Sequence, residues 1–323
     1  MKKSIYLAII IFLTIFFSKS SYAQQMSHYG YPSDGHNSAI YSIINSFNIV
    51  VNKDYAHYAE HSSSGSTLDN EDANIPGVSL SLEDIPNPTI PAWFEINFSN
   101  NAGNFTYTGE TNFTYIPVES TDHISYINYG FRVGYAFLVY NNKLAIIPNA
   151  GFEWMNWNRN VMYNGNTQDI EHYHFNRYLV GIKAYYMITN RFWLEGEGYY
   201  THGVDNSMDT NQYIPSALYL NSSGNLTGIA GAYQSQSFSL GNKSGFLFGV
   251  KAGYKAYRSG SFSISPFISL NYLQLEVNKS NTIINNVSIY QSGSYVGYAQ
   301  LATHEPKSQT NEFLIGVGVK VGF

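Results

Sequence analysis

Cysteine is absent from this chain of 323 residues. That excludes a disulfide framework, a thiolate metal site, a cysteine nucleophile and a cysteine-borne lipid anchor. An excess of basic charge is also missing. With 17 Lys and Arg against 22 Asp and Glu the formal charge is −5, which argues against a nucleic-acid partner. Long apolar runs are lacking beyond the first two dozen residues, so no membrane-spanning helix is expected. The one apolar run, Ile5–Phe17, follows Lys2 and Lys3 and precedes Ser21-Tyr22-Ala23. It is short for a membrane span and carries a small-x-small cleavage site, so residues 1–23 read as a removed secretory signal. Lys2, Lys3 and Lys19 lie in that stretch without an acid, and its loss takes the formal charge from −5 to −8.

What the chain does have is aromatic mass: 29 Tyr, 20 Phe and 4 Trp, at a mean hydropathy of only −0.20. Low average hydropathy with many aromatics suits a membrane β-barrel, because only alternate residues of each strand need to face lipid. A secreted β-sandwich alternates as well. The two differ in strand length, since a tilted spanning strand needs about 9–11 residues.

The alternation is plainest at the C-terminus. In NEFLIGVGVKVGF the residues Phe313, Ile315, Val317, Val319, Val321 and Phe323 fall on one face. Leu314, Gly316, Gly318, Lys320 and Gly322 fall on the other. Similar patterns start near Phe47, Gly77, Phe94, Ile124, Leu144, His172, Phe192, Gly245 and Ser261. That gives ten strands, or eight if the first two do not span. Asn141–Lys143, Thr189–Arg191 and Arg258–Gly260 are tight turns. The connections between them, including Val204–Lys243 and Asn278–Thr310, are polar and read as long loops. The expected architecture is all-β: one antiparallel up-and-down barrel over residues 46–323, with short periplasmic turns and long extracellular loops. Residues 24–45 read as a polar periplasmic lead-in with room for a short helix, and not as a domain.

Charges on the faces that avoid lipid are Glu95, Arg132, Glu153, Arg177, Lys183, Glu195, Glu197, Lys251, Lys255 and Lys320. An Arg or Lys facing lipid costs about 2–4 kcal/mol at the midplane, so these belong in the lumen. A barrel of eight to ten strands has room inside for little but side chains. Opposite charges there are expected to pair into a plug; the rival reading is a narrow passive channel.

The closing GVGVKVGF, the signal sequence, and the strands NYGFRVGYAF, GVKAGYKAY and GFEWMNW together resemble small Gram-negative outer-membrane barrels of the OmpA transmembrane or opacity type. The resemblance implies an outer-membrane address and membrane maintenance or surface recognition through the loops. It further implies partners in outer-membrane lipid and lipopolysaccharide, and assembly through Phe313, Ile315, Val317, Val319, Val321 and Phe323.

Enzyme readings find less support. Omptin proteases, barrels of similar size, carry an Asp-x-Asp and an Asp-x-His pair at the outer rim. Here Asp34/His36 is the sole Asp-x-His and lies in the lead-in, while Asp122-His123 has the wrong spacing. Glu60, His61 and Ser63 imitate the acid, histidine and serine of a lipid A hydrolase, but neighbours of that kind arise by composition in a Ser-rich loop. His172 and His174 share a strand face and could start a metal site, yet no third ligand is fixed. The acids Asp69, Glu71 and Asp72 read as a solvated loop. No cofactor is expected. Tyr126, Tyr140, Trp154, Trp157, Tyr185, Tyr186, Trp193, Tyr199 and Tyr200 fall near strand ends, where rings settle at membrane interfaces.

Overall fold

A computed structural model describes residues 37–62, 64–87, 90–110, 117–140, 142–163 and 166–323. The expected signal sequence, most of the lead-in with Asp34 and His36, and Ser63 lie outside them. Among the described residues, one helix, α1 (Asn37–Ile44), precedes fifteen strands. In order these are β1 (Ser46–His61), β2 (Thr67–Asp84), β3 (Ala92–Glu110), β4 (Pro117–Tyr135), β5 (Phe137–Val139), β6 (Leu144–Tyr163), β7 (Asn166–Met187) and β8 (Phe192–Leu220). There follow β9 (Leu226–Ser239), β10 (Lys243–Tyr254), β11 (Tyr257–Ser259), β12 (Phe262–Val277), β13 (Ile283–Gln291), β14 (Ser294–Thr303) and β15 (Lys307–Gly322).

Ten strands close the barrel. Each of β1, β2, β3, β4, β6, β7, β8, β10, β12 and β15 pairs antiparallel with its neighbour in that series, and β15 returns to β1. The closing register runs without a break from Ser46 opposite Gly322 to His61 opposite Lys307. Both ends of the meander therefore lie at one rim, the end of the tight turns.

Polarity is inverted relative to a water-soluble protein. Ile49, Val51, Val78, Ile96, Phe131, Val133, Val180, Phe248, Ile268, Ile315 and Val317 stand exposed on the outside, with Val180 at 62% and Val317 at 61%. Glutamate, arginine and lysine are buried within. Pleating sends alternate residues to opposite sides, so one alternating sequence supplies both surfaces. Only a hydrocarbon surround makes that arrangement favourable, because exposed apolar area in water costs about 25 cal/mol per Å².

Around the outside, a belt of cross-strand polar pairs ends the apolar band towards the loop end. His57 meets Asp72 at 2.8 Å, His123 meets Asn104 at 2.5 Å, His172 meets Asn158 at 2.6 Å and His174 meets Asn156 at 2.8 Å. Each pair is directly opposed in its ladder. Just inside the belt, the outward rings of Tyr129 and Trp154 stack at 5.4 Å.

Two expectations are corrected. The connections at the loop end are mostly sheet: β8 runs 29 residues, and β9, β13 and β14 occupy the stretches expected to be loops. Above the membrane the outer face no longer has to be apolar, so the sequence alternation that marks a spanning strand fades. The aromatic belt is also thinner than its composition suggested. Tyr126, Trp157, Tyr185, Trp193 and Tyr199 point inward and are buried, whereas Tyr186 and Tyr200 stand outside. A ring near a strand end faces inward or outward by the parity of its position, not by its chemistry.

Candidate functional site

The lumen is filled in layers, and α1 seals the tight-turn end. Its residues Ile40, Ile43 and Ile44 are spaced i, i+3, i+4 and fully buried, packing with Ile85, Trp93, Ile147, Tyr185, Trp193 and Phe267. Its last carbonyls, which no helical turn can satisfy, are taken by barrel side chains. Lys255 donates to Ala39 O at 2.6 Å and to Ser42 Oγ at 3.0 Å, Lys320 to Ile43 O at 3.1 Å, and Ser263 Oγ to Ser42 O at 3.3 Å. A cation at a helix C-terminus also meets the negative end of the helix dipole. Asn45 then ties the helix to the rim, its side-chain oxygen accepting from Ile85 N and its carbonyl from Phe323 N.

Above the helix lies one continuous ion network of five carboxylates and five cations. Lys183 is its hub, within 4 Å of Glu95 (2.7 Å), Glu83 (3.0 Å), Glu195 (3.4 Å) and Glu197 (3.7 Å). Arg132 reaches Glu153 at 2.9 Å, Glu197 at 3.3 Å and Glu95 at 3.5 Å, and Arg177 closes on Glu153 at 2.7 Å. Lys251 and Lys320 hold Glu195 at 2.6 and 2.8 Å. Tyr185 donates to Glu83, and Arg132 lies over the Tyr199 ring at 4.4 Å. Formal charges cancel, as a buried network requires. Glycines make room for it: a Cβ on Gly130 would stand 2.5 Å from Glu153 Cγ, and one on Gly249 2.8 Å from Glu197 Oε1.

Nine of the ten expected lumen charges meet in this network. Lys255 does not; it serves the helix instead of a carboxylate. Glu83 was missed, although Ser79, Ser81 and Glu83 share one face of β2 and that parity points it inward. Of the C-terminal residues, Phe313, Ile315, Val317 and Val319 stand outward and exposed, while Val321 and Phe323 are half-buried at the rim.

A collar of rings comes next. Trp157 stacks on Tyr173 at 4.8 Å and meets Tyr58 edge-on at 5.5 Å, with Phe105, Tyr126 and Phe175 around them. Lys243 Nζ sits 3.4 Å from the centre of the Phe175 ring. The last layer, at the level of the histidine belt, is anionic and built on Arg159. That guanidinium pairs with Glu71, with Glu171 at 3.0 Å and with Asp122 at 3.4 Å. Glu60 opposes Asp69 across the β1–β2 ladder and accepts from Tyr58 at 2.8 Å. Glu305 accepts from Tyr173 at 3.4 Å. Burial is the main cause of the raised pKa values in this layer: it takes Glu71 and Glu305 to about 8 and Asp169 to about 6, and lifts Glu60 well above the usual range. Glu71 and Asp69, expected in a solvated loop, are part of this layer.

Beyond the barrel, β8 projects with β9 on one edge and β13 on the other, where β7 has ended. Ala217–Leu220 pair with Ser288–Gln291 in parallel. The β13–β14 hairpin is rooted between β12 and β15, so reaching β8 carries it over the mouth, and Glu305 just after it meets Tyr173 inside.

Among the described residues, the enzyme candidates do not converge. Glu60 is inward and His61 is on the opposite side of the same strand. His172 and His174 point outward, each held by an asparagine. Among the described residues, no group of three or more His, Asp or Glu is placed to hold a metal ion.

An exterior fit for hydrocarbon around a charge-filled, ten-stranded closed sheet defines the class: this is a β-barrel of the outer-membrane kind. No protein-family model matches the chain, nor does any curated protein sequence. Among solved structures it is similar in fold to the outer membrane protease OmpT from Escherichia coli, at 12% identity and a TM-score of 0.44, over 87% of this chain and 97% of that one. It is also similar to Ail, the attachment invasion locus protein of Yersinia pestis, at 10% identity and 0.30, over 85% and 98%. The Pseudomonas putida toluene transporter TodX matches at 8% and 0.31, over 89% and 92%. Identities this low speak to fold alone.

Proposed function

We propose that the chain is a non-enzymatic, non-conducting barrel of a Gram-negative outer membrane, whose external sheet recognises other surfaces. The observation that carries this reading is the composition of that sheet. From Thr210 to Asn242 and from Ser280 to Thr303 there is no Asp, Glu, Lys or Arg. In their place are exposed Tyr213, Tyr219, Tyr233, Tyr295 and Tyr298 among Ser, Gly, Asn and Gln. Rigid tyrosines set among small adaptable polar residues are the chemistry of binding surfaces such as antibody loops. The filled lumen supports the non-conducting part, since no charge in the ion network is left over to draw an ion through. In the same reading the outer apolar band takes lipid and lipopolysaccharide, and the outward face of β15 is what the barrel-assembly machinery reads.

Two measurements test this. Refolded protein in a planar bilayer should give no steady single-channel steps; such steps would overturn the closed reading in favour of a passive channel. Cells displaying the chain should adhere to protein- or glycan-coated surfaces more than cells displaying a variant without residues 280–304. Equal adherence would remove the recognition role.

A further inference from the structure

We propose that the rim of the tight turns binds an anionic phospholipid, whose phosphate is taken by Arg191. This goes beyond the lipid contact of the apolar band and rests only on the barrel lying in a bilayer. Charge is divided between the two ends of the molecule. Among the described residues the exposed acids are Asp72, Glu119, Asp205 and Glu276, and all four lie at the loop end. At the tight-turn end Glu83 and Asp84 are buried, and no described Asp or Glu is exposed. The charged side chains that reach the surface there are Lys143, Arg191 and Arg258, one in each of three successive turns. Backbone bonds hold those turns side by side: Met187 N donates to Lys143 O at 2.7 Å, and Lys255 N to Arg191 O at 2.8 Å.

The position of Arg191 selects the occupant. Its Nη1 donates to Tyr254 Oη at 2.8 Å, and the Tyr254 ring packs on Phe192 at 4.8 Å. Phe192 and Tyr254 oppose each other in the β8–β10 ladder, on the face that turns Leu194 and Val250 to hydrocarbon. The guanidinium is therefore held against the outer wall where the apolar band ends, at the depth of lipid headgroups. Tyr140, Tyr186 and Tyr257, exposed at the same rim, are the rings expected at that depth. A soluble partner would need the cations aimed at the aqueous end of the barrel; one tied to an outward ring meets lipid. The planar guanidinium suits the oxygens of a phosphate, and Lys143 and Arg258 add attraction from the turns on either side. A zwitterionic headgroup brings its own cation to a rim that offers no exposed acid. An anionic headgroup brings none, which is the complement this rim requires.

Folded full-length protein in detergent is titrated with phosphatidylglycerol or with phosphatidylethanolamine of the same acyl chains, and bound lipid is counted by native mass spectrometry. Phosphatidylglycerol should bind about tenfold more tightly or better, and Arg191→Gln should weaken it about fivefold, the worth of one cation at a membrane surface. Arg191→Lys, which keeps the charge, should keep most of the affinity. Lys307→Gln, at the loop end where Lys307 pairs with Glu276, should leave it unchanged. Heat-modifiable electrophoretic mobility shows that each variant is folded. Equal affinity for the two lipids, or phosphatidylglycerol binding unaffected by Arg191→Gln, overturns the proposal. Displacement of the lipid by an equal concentration of inorganic phosphate overturns it too, since the rim would then be a site for free anions. None of these results bears on the closed lumen or the external sheet, which conductance and adherence test separately.

Discussion

Lys183 is the side chain on which the interior is most sensitive. Four carboxylates surround it, and removing one partner of a buried ion pair typically costs about 3–5 kcal/mol, because the remaining charges stay buried without compensation. Lys183→Met should therefore lower the stability of the refolded barrel by about that amount in urea titration. Lys251→Met should cost clearly less, since the buried Glu195 it leaves keeps Lys320 at 2.8 Å and Lys183 at 3.4 Å. Equal losses would count against a hub. The carboxylates at the loop end respond to pH instead. The folded pKa values of Glu71 and Glu305, about 8, lie above the unfolded value near 4.5, so the folded state binds more protons between those limits. By linkage, stability falls as pH rises through that window. Amide hydrogen exchange of β13, β14 and the tops of β1 and β2, corrected for its intrinsic pH dependence, should show protection at pH 5 that diminishes by pH 9. Flat protection would show that these acids are ionised throughout. Parity made most of the lumen charges legible in the sequence, because a two-residue period assigns each residue a face. It could not say that Lys255 would meet helix carbonyls, since that partner comes from an element packed across the barrel.

At the scale of elements, strands with lipid on one face and lumen on the other were legible, as for β4, β10 and β15. Their extensions were not: β8 beyond His202 keeps a buried face through Asn206, Met208, Thr210 and Ile214, but that face is largely polar and the other need not be apolar, so the sequence shows no alternation. The helix α1 was legible only as a short helix in the lead-in, and its place as a seal was not. Eight residues form a marginal helix by themselves, and this one is stable through packing against barrel residues distant in sequence. The layering makes a prediction. Deleting residues 24–44 removes the buried Ile40, Ile43 and Ile44, each worth about 1.5–3 kcal/mol of burial, and strips Lys255 of its acceptors. Stability should drop, yet every ion pair of the network above remains, Lys320 losing only its bond to Ile43 O, so bilayer recordings of the deletion variant should remain silent. Regular conductance steps from it would make α1 the sole seal.

For the whole molecule, the two functions proposed for it occupy separate storeys. Within the membrane, every barrel strand has two neighbours at the level of the ion network, and none belongs to the external sheet: β8 is held there by β7 and β10 through Phe192–His202. Higher up, β8 exchanges those neighbours for β9 and β13. A variant in which residues 207–239 and 280–305 are each replaced by a short Gly-Asn turn should thus fold into a closed barrel. Its heat-modifiable mobility should survive with its electrical silence, while its adherence is lost. The physical ground is that antiparallel ladders are satisfied pairwise, so a cut at the histidine belt, where Ser207 opposes His174, leaves every charge of the ion network below it with its partners. The carboxylate layer around Arg159 sits at the boundary and would lose Glu305, a proton-holding acid, so the truncated barrel should vary less in stability between pH 5 and pH 9 than the full chain. If it fails to fold at all, the external sheet is part of the barrel's folding unit and not a platform carried by it.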